Sequence, residues 1–352
     1  MPNGLDEVDW SRLTHAYGAA DDVPDQLRDL LSPDAERRRK ALWALNGNIY
    51  HQGTVYQATA HAVPFLLEVL AAPGCAERPE LLDLLSGIVT GFDEMWLPGG
   101  LPITEYRAQA EGGEAVLAAA PRPGDDDFDE DEGDFGYVEG LTEDDQRRMF
   151  AHIWVRAHDA VRAGVPLFRD LLSAEPPVAC MAAYTLAWFP EDAAGSLPAL
   201  GEVTGEDVVV ATASVATGLL GGRPAAALDD PRPIVRWGAA VALAAVDGPE
   251  ATDDVVDELL TVAAGSLDRA EEVPFLGGDL AGYAALAVLR LAFHDGALTP
   301  GTPYTALDSR QRRTVEALAA GEGTWLVNLD EHLRAYGLPT EKEALRAYTS
   351  TR

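Results

Sequence analysis

Residues 165–173 read Val-Pro-Leu-Phe-Arg-Asp-Leu-Leu-Ser, and the same pattern recurs along the chain. One copy begins at Val23-Pro24, another at Val63-Pro64, and a weaker one at Leu197-Pro198. A second amphipathic stretch follows each copy, usually after a short break. Self-similarity of this kind is typical of stacked helical hairpins, in which each hairpin buries its apolar face against the next. The sequence therefore predicts an all-α fold built from repeated hairpins.

Prolines and capping residues predict where several helices begin. Proline is tolerated in a first helical turn because the N–H that it lacks has no intrahelical partner there. We therefore expect the first helix to start at Pro24, and the second unit to form one helix over 63–70. Thr142 precedes acidic residues and is expected to cap a long helix. A very short helix is expected at 225–228. The sequence has almost none of the period-2 alternation that would indicate strands.

The repeat pattern divides the chain into four predicted segments. Residues 1–92 form a lead-in and the first hairpins, and 93–140 form an insertion rich in glycine, proline and acidic residues. Within the insertion we expect a short helix at 114–120 and disorder in its acidic part. Residues 141–308 hold the central hairpins. Residues 309–352 are predicted to form capping helices.

The charge balance limits the classes of partner. The chain of 352 residues has 58 acidic and 26 basic residues, a net charge of −32. Eight carboxylates lie between Asp125 and Asp134, so most of the excess is spread elsewhere. Nucleic-acid binding depends on Lys and Arg contacts to phosphate, and we expect neither a nucleic-acid nor a membrane partner. The acidic run also fails the EF-hand register, so no calcium site is predicted.

Cellular location is predicted from features that the sequence lacks. We see no signal peptide, and the best apolar run, 208–222, is too short to span a bilayer. The two cysteines, Cys75 and Cys180, do not make a disulfide framework. A cytoplasmic location is therefore expected.

Several stretches resemble HEAT repeats. Ile234-Val235-Arg236…Ala239-Ala240…Leu243, after Asp230-Pro231, is similar to the second helix of that repeat, as is Arg39…Leu42…Leu45 after Pro33-Asp34. The Val-Pro phrases resemble the first helix. The resemblance covers about 24–92 and 142–295. It implies a right-handed superhelical solenoid of about six to seven HEAT-like units, in which Arg236 pairs with an acidic residue of a neighbouring unit.

Enzymatic branches of HEAT-like proteins are not favoured by these residues. The resemblance to the DNA glycosylase branch would imply a basic concave face, which a net charge of −32 makes implausible. The deoxyhypusine hydroxylase branch uses His-Glu dipeptides as iron ligands, and this chain has none. The histidines lack zinc-ligand spacing, and nothing identifies a pigment site of the phycobilin-lyase type. No catalytic residue, metal or cofactor is predicted.

The strongest local anomaly is residues 41–67, which contain no Asp, Glu, Lys or Arg. This stretch concentrates aromatic and amide side chains: Trp43, Asn46, Asn48, Tyr50, His51, Gln52 and Tyr56. Such side chains are common in ligand clefts and interface hot spots, so they are candidate binding residues. The competing interpretation is a buried turn in which Asn and His satisfy helix ends.

A second candidate lies at the start of the insertion, where Asp93, Glu94 and Trp96 place an aromatic beside two carboxylates. These residues would grip a basic partner. The competing interpretation is an anchor that fixes the loop to the helices.

The favoured function is a non-enzymatic scaffold that binds a basic protein partner through an acidic concave surface. Neutralisation of a toxin or nuclease is one version of this role. The alternative is an enzyme or small-molecule-binding protein with a cleft built on 41–67. A deep pocket lined by Tyr50, His51 and Tyr56 would favour the alternative, whereas a shallow acidic groove would favour protein binding.

Overall fold

Helices dominate the molecule. The computed structural model describes residues 4–126, 128, 138, 140–321 and 329–350, and helices account for 64% of the structure. Seventeen α-helices and two very short β-hairpins lie in these residues. The predicted all-α class is confirmed. Within the same ranges, no helix is both long enough and apolar enough to cross a membrane.

The chain divides into two compact units. Unit 1 comprises Met1–Phe92 and Leu101–Asp170, and unit 2 comprises Asp93–Gly100 and Leu171–Arg352. The four segments expected from the sequence stay a prediction. Most of the acidic run lies outside the described residues.

Unit 1 holds both hairpins and the first helices. Strand β1 (Thr14–His15) pairs antiparallel with β2 (Gly18–Ala19), and β3 (Tyr50–His51) pairs with β4 (Thr54–Val55). The long helix α7 packs against α3, α4, α5 and α6. The helices are α1 (Val23–Asp29), α2 (Ala35–Asn48), α3 (Gln57–Ala71), α4 (Arg78–Thr90), α5 (Ile103–Gln109), α6 (Gly113–Ala119), α7 (Glu143–Arg162) and α8 (Val165–Leu171).

Unit 2 consists of helices that pack mainly against near neighbours in sequence. Helix α11 packs against α9 and α12, and α13 packs against α12 and α14. A Cβ at Gly238 would lie 2.6 Å from the backbone oxygen of Ala211, so glycine permits the close approach of α12 to α11. The helices are α9 (Pro176–Leu186), α10 (Ala193–Gly201), α11 (Asp207–Leu219), α12 (Pro233–Asp247), α13 (Asp253–Ala263), α14 (Leu280–Ala292), α15 (Ser309–Ala320), α16 (Leu329–Ala335) and α17 (Lys342–Ser350).

Local sequence signals are confirmed at several helix ends. Pro24 lies in the first turn of α1. The Thr142 side chain accepts a hydrogen bond from the N–H of Asp145 and caps α7. The short helix expected at 114–120 is α6. Arg236 of α12 pairs with Glu258 of α13 at 3.3 Å.

One expected helix is absent. No helix forms at 225–228, where the chain makes bends and turns. The helix expected over 63–70 is present as part of α3, which begins earlier, at Gln57, so Pro64 lies inside it. The β3–β4 hairpin was also not predicted, because strands of two residues are too short to show period-2 alternation.

The core of unit 2 is aromatic. Trp188, Trp237, Phe275 and Tyr283 are fully buried, and the rings of Phe275 and Tyr283 lie 6.0 Å apart. Trp188 and Trp237 therefore serve core packing. Both cysteines are free: Cys180 is buried and Cys75 is partly exposed.

Candidate functional site

The uncharged segment 41–67 forms the end of α2, the β3–β4 hairpin and the start of α3. The hairpin turns at Gln52 and Gly53, whose φ angles are +49° and +84°. Two successive positive φ values are what a two-residue type I′ turn requires. His51 lies near the β1–β2 hairpin, where its ring is 5.4 Å from that of Tyr17.

An open groove of about 710 Å³ lies along this segment in unit 1. We call it the acidic groove because carboxylates line it. Its lining includes aromatic and acidic side chains: Tyr17, Asp22, Trp43, His51, Glu80 and Asp83. Five of the ten candidate residues from the sequence line it: Trp43, Asn46, Asn48, His51 and Gln52.

The aromatic side of the groove is unusually open to solvent. Trp43 is 81% exposed and Tyr17 is 65% exposed. Large aromatic side chains are normally buried, and exposed ones in a concave site are typical of interaction surfaces. The groove therefore offers flat apolar surface to a partner.

Asp22 is held in place by a hydrogen-bond network. It accepts from the Gln26 side chain at 2.7 Å and from Asn48 Nδ2 at 3.0 Å. His15 Nδ1 accepts from the N–H of Tyr17, so the neutral ring carries its proton on Nε2 and donates to Asp22 at 2.9 Å. The hydrogen bond from His15 lowers the pKa of Asp22. Asn48, buried among these partners, thus has a structural role.

Glu80 and Asp83 are the groove carboxylates that lack an ion pair within the described part of the chain. Glu77, by contrast, pairs with Arg38 Nε at 2.7 Å. The pKa of Asp83 is raised, first because the groove withdraws its carboxylate from solvent and second because Glu80 is nearby, although much of the side-chain surface stays exposed. A cation placed beside this pair would favour the charged form of Asp83 and lower its pKa.

The chemistry of the groove suits non-covalent binding of a cation and an apolar group. Arg39 is the cationic side chain in its described lining, against four carboxylates, and no serine, threonine or cysteine lines it there. The carboxylates do not converge: among the described residues, no three potential metal ligands of the groove lie within 4.8 Å of one another.

Tyr50 and Tyr56 lie outside the acidic groove. The Tyr50 hydroxyl donates to the backbone oxygen of Gly91 at 2.8 Å, and burial raises its pKa. Tyr56 is only 3% exposed, and its backbone N–H donates to Thr59 Oγ1 at the start of α3. The Tyr50 side chain therefore stabilises the local fold, whereas Tyr56 lines a different cavity of unit 1.

Asp93, Glu94 and Trp96 belong to unit 2. The Asp93 carboxylate accepts from the N–H of Leu276 at 3.0 Å and from the Tyr184 hydroxyl at 3.1 Å. Withdrawal from solvent raises the pKa of Asp93 to about 6, and the Glu94 charge adds to the rise. Asp93 therefore holds its segment within unit 2, in the manner of an anchor.

Sequence reasoning missed the groove residues outside 41–67. Tyr17 and Asp22 lie in what reads as a polar lead-in, and Glu80 and Asp83 lie on the polar side of α4. Charged residues on an amphipathic helix are ordinarily solvated, so nothing local distinguishes these two. Only the packing of α2 beside α4 and β3 brings them to Trp43.

The comparisons with known proteins add no functional assignment. No family model matches the chain, and no curated protein matches it. Among solved structures, the chain is similar to the crystal structure of an engineered protein at 18% identity, covering 85% of this chain and 88% of that one, with a TM-score of 0.26. So low a TM-score indicates neither a shared fold nor a shared function.

Proposed function

We propose that this protein is a non-enzymatic binding protein that holds a basic segment of another protein in the acidic groove. The observation that supports this most directly is Trp43, 81% exposed, in one groove with Glu80 and Asp83. A tryptophan face attracts a Lys or Arg side chain through its quadrupole, and the carboxylates attract the same cation.

The energetics of such a contact are concentrated in few residues. Truncation of a tryptophan at the centre of an interface typically costs about 2–4 kcal/mol of binding free energy. Burial and, second, the Glu80 charge raise the pKa of Asp83, and a cation beside the two carboxylates offsets the repulsion between them. The net charge of −32 would speed encounter with a basic partner and make association salt-dependent.

The shape of the groove favours protein binding over the small-molecule alternative. Tyr50 and Tyr56, which a deep aromatic pocket on 41–67 would use, lie outside it, and the lining is acidic. Neutralisation of a basic toxin or nuclease is one form that the role would take. The two free cysteines suit a reducing compartment, so we place the interaction in the cytoplasm.

We also propose that the helices are arranged as HEAT-like hairpins. In unit 2 the helices pack against near neighbours in sequence, as stacked repeats do. The Arg236–Glu258 pair joins α12 to α13 at the position that the HEAT resemblance implies.

Site-specific photo-crosslinking tests the proposed function. A photoreactive phenylalanine analogue is placed at Trp43 and, as a matched control, at Leu31, an exposed apolar residue outside the groove lining. In the native host we expect a discrete basic protein to crosslink to position 43 and not to position 31. The pair Glu80→Gln and Asp83→Asn should remove the adduct without lowering thermal stability.

The proposal fails if positions 43 and 31 give the same adducts. It also fails if the adduct at position 43 survives both the neutral pair and raised salt, because the carboxylates would then contribute nothing to recognition.

A further inference from the structure

A second cavity in unit 1 has the opposite character from the acidic groove. It is a cleft of about 540 Å³ between the N-terminal segment, α3, α7 and the chain that follows α6. Its charged and titratable lining consists of Glu7, Asp9, Arg12, His61, Arg122, His152 and Arg156, beside Tyr56. We name it the basic pocket after Arg12, Arg122, Arg156, His61 and His152. The lining has three arginines and two carboxylates, whereas acidic residues outnumber basic ones in the whole chain.

Two helices each place a pair of hydrogen-bonding side chains in the basic pocket. Gln57 and His61 lie four residues apart on α3, and His152 and Arg156 lie four residues apart on α7, so each pair occupies one helix face. Helices α3 and α7 pack against each other. Gln57 is also the first residue of α3, so the positive end of that helix dipole adds to the arginine charges.

The arginines differ in how far their charges are compensated. Arg12 donates to Asp125 Oδ1 at 2.7 Å and to the backbone oxygen of Pro123 at 2.9 Å. These bonds tie the N-terminal segment to the chain that carries Arg122. Arg122 and Arg156 form no ion pair with any residue that the structure describes. The hydrogen bond from Arg12 lowers the pKa of Asp125 and the charge of Arg122 lowers it further, so the Arg122 charge is partly compensated. Both guanidinium groups can still donate to a ligand.

Burial and the charge of Arg156 both lower the pKa of the two histidines. Burial lowers the pKa of His61, and the nearby charge of Arg156 lowers it further. The same two causes lower the pKa of His152, while Glu114 opposes them. Both rings are accordingly neutral near neutral pH, and each offers one N–H donor.

We propose that the basic pocket binds a small organic molecule carrying a phosphate group, with Arg122 and Arg156 on the phosphate and His61 and His152 donating beside them. Guanidinium forks match phosphate oxygens in bidentate geometry. The volume falls in the range of small-molecule sites, about 300–1,000 Å³. The apolar walls of the pocket accept the carbon part of the ligand: Val8, Leu13, Ala60, Leu117 and Ile153.

The test uses the full chain and defined probes. Inorganic phosphate and ribose 5-phosphate are titrated by calorimetry, with ribose and with sodium chloride at equal ionic strength as controls. We expect ribose 5-phosphate to bind at least about tenfold more tightly than ribose, and Arg122→Gln or Arg156→Gln to weaken it about tenfold or more. Arg147→Gln is the matched control, since it removes one charge from α7 outside the pocket and should change affinity less than about twofold.

Histidine ring signals in NMR spectra supply a second measurement. A bound phosphate dianion favours the imidazolium form, so phosphate should raise the pKa of His61 and His152 and chloride should not. Arg156→Gln should raise the pKa of both rings without phosphate.

The proposal is wrong if phosphate and chloride act alike on these rings. Equal binding of ribose and ribose 5-phosphate would overturn it as well, as would an Arg147→Gln effect as large as that of Arg156→Gln. None of these outcomes bears on the acidic groove, which shares no lining residue with the basic pocket.

Discussion

The acidic groove and the basic pocket lie in one compact unit and carry opposite charge. Both draw on the N-terminal segment: Tyr17 and Asp22 line the groove, and Arg12 lines the pocket. The groove exposes a tryptophan beside carboxylates, whereas the pocket gathers guanidinium and imidazole groups. The net charge of −32 therefore does not predict the local charge of the basic pocket. The class of ligand depends on the residues that line each site.

Exchanging the charges of the two regions should give the largest effect. Glu80→Lys with Asp83→Lys is expected to abolish crosslinking at position 43 and leave phosphate binding intact. Arg122→Glu with Arg156→Glu should do the reverse. Like charges brought together cost several kcal/mol, so each loss should reach about 100-fold or more. Crosslinking yield and phosphate calorimetry on both variants check this. Loss of both activities in either variant would show that the two regions do not act independently.

A buried carboxylate in unit 2 sharpens the contrast with the open groove. The pKa of Asp93 is raised to about 6, so the folded state retains a proton that the unfolded chain releases at lower pH. The free energy of unfolding therefore falls as pH rises between about 4 and 6, and the loss persists above that range. Asp93→Asn removes the charge and keeps an acceptor for the N–H of Leu276. We expect it to stabilise the protein by about 1–3 kcal/mol at about pH 7.5.

Urea unfolding of the Asp93→Asn variant at several pH values measures this gain, which should shrink as pH falls below about 6 and vanish near about pH 4. Glu80→Gln is the control, because Glu80 is exposed and removal of its charge should change stability less. A gain that does not vary with pH would contradict the assigned role of Asp93.

Two asparagines of the groove should show the smallest effects and separate structure from recognition. Asn48 is buried and donates to Asp22, so Asn48→Ala should lower the free energy of unfolding by about 1–2 kcal/mol. Asn46 is partly exposed, and Asn46→Ala should change it by less than about 0.5 kcal/mol. Thermal melts of both variants decide the matter. Equal melting temperatures would mean that water replaces the Asn48 bonds at no cost.

Local signals predicted the helices, and tertiary packing decided the sites. Thr142 and Pro24 act through their own turn, so their roles could be predicted from neighbouring residues alone. Pro64 lies in the same Val-Pro pattern as Pro24. It nevertheless lies inside α3, which begins at Gln57, directly after the β3–β4 hairpin. The absence of charge in 41–67 located part of the groove. The arginines of the basic pocket come from three separate segments, and no local pattern joins them.

The segment 93–100 belongs to unit 2, although the chain on both sides of it belongs to unit 1. Its Asp93 accepts a hydrogen bond from a residue 183 positions later. At synthesis rates of about 5–20 residues per second, roughly 10–40 s separate the emergence of these two partners. Unit 2 must therefore recruit a piece of chain made long before its own helices. Residues 171–352 produced alone would lack that acceptor for the N–H of Leu276.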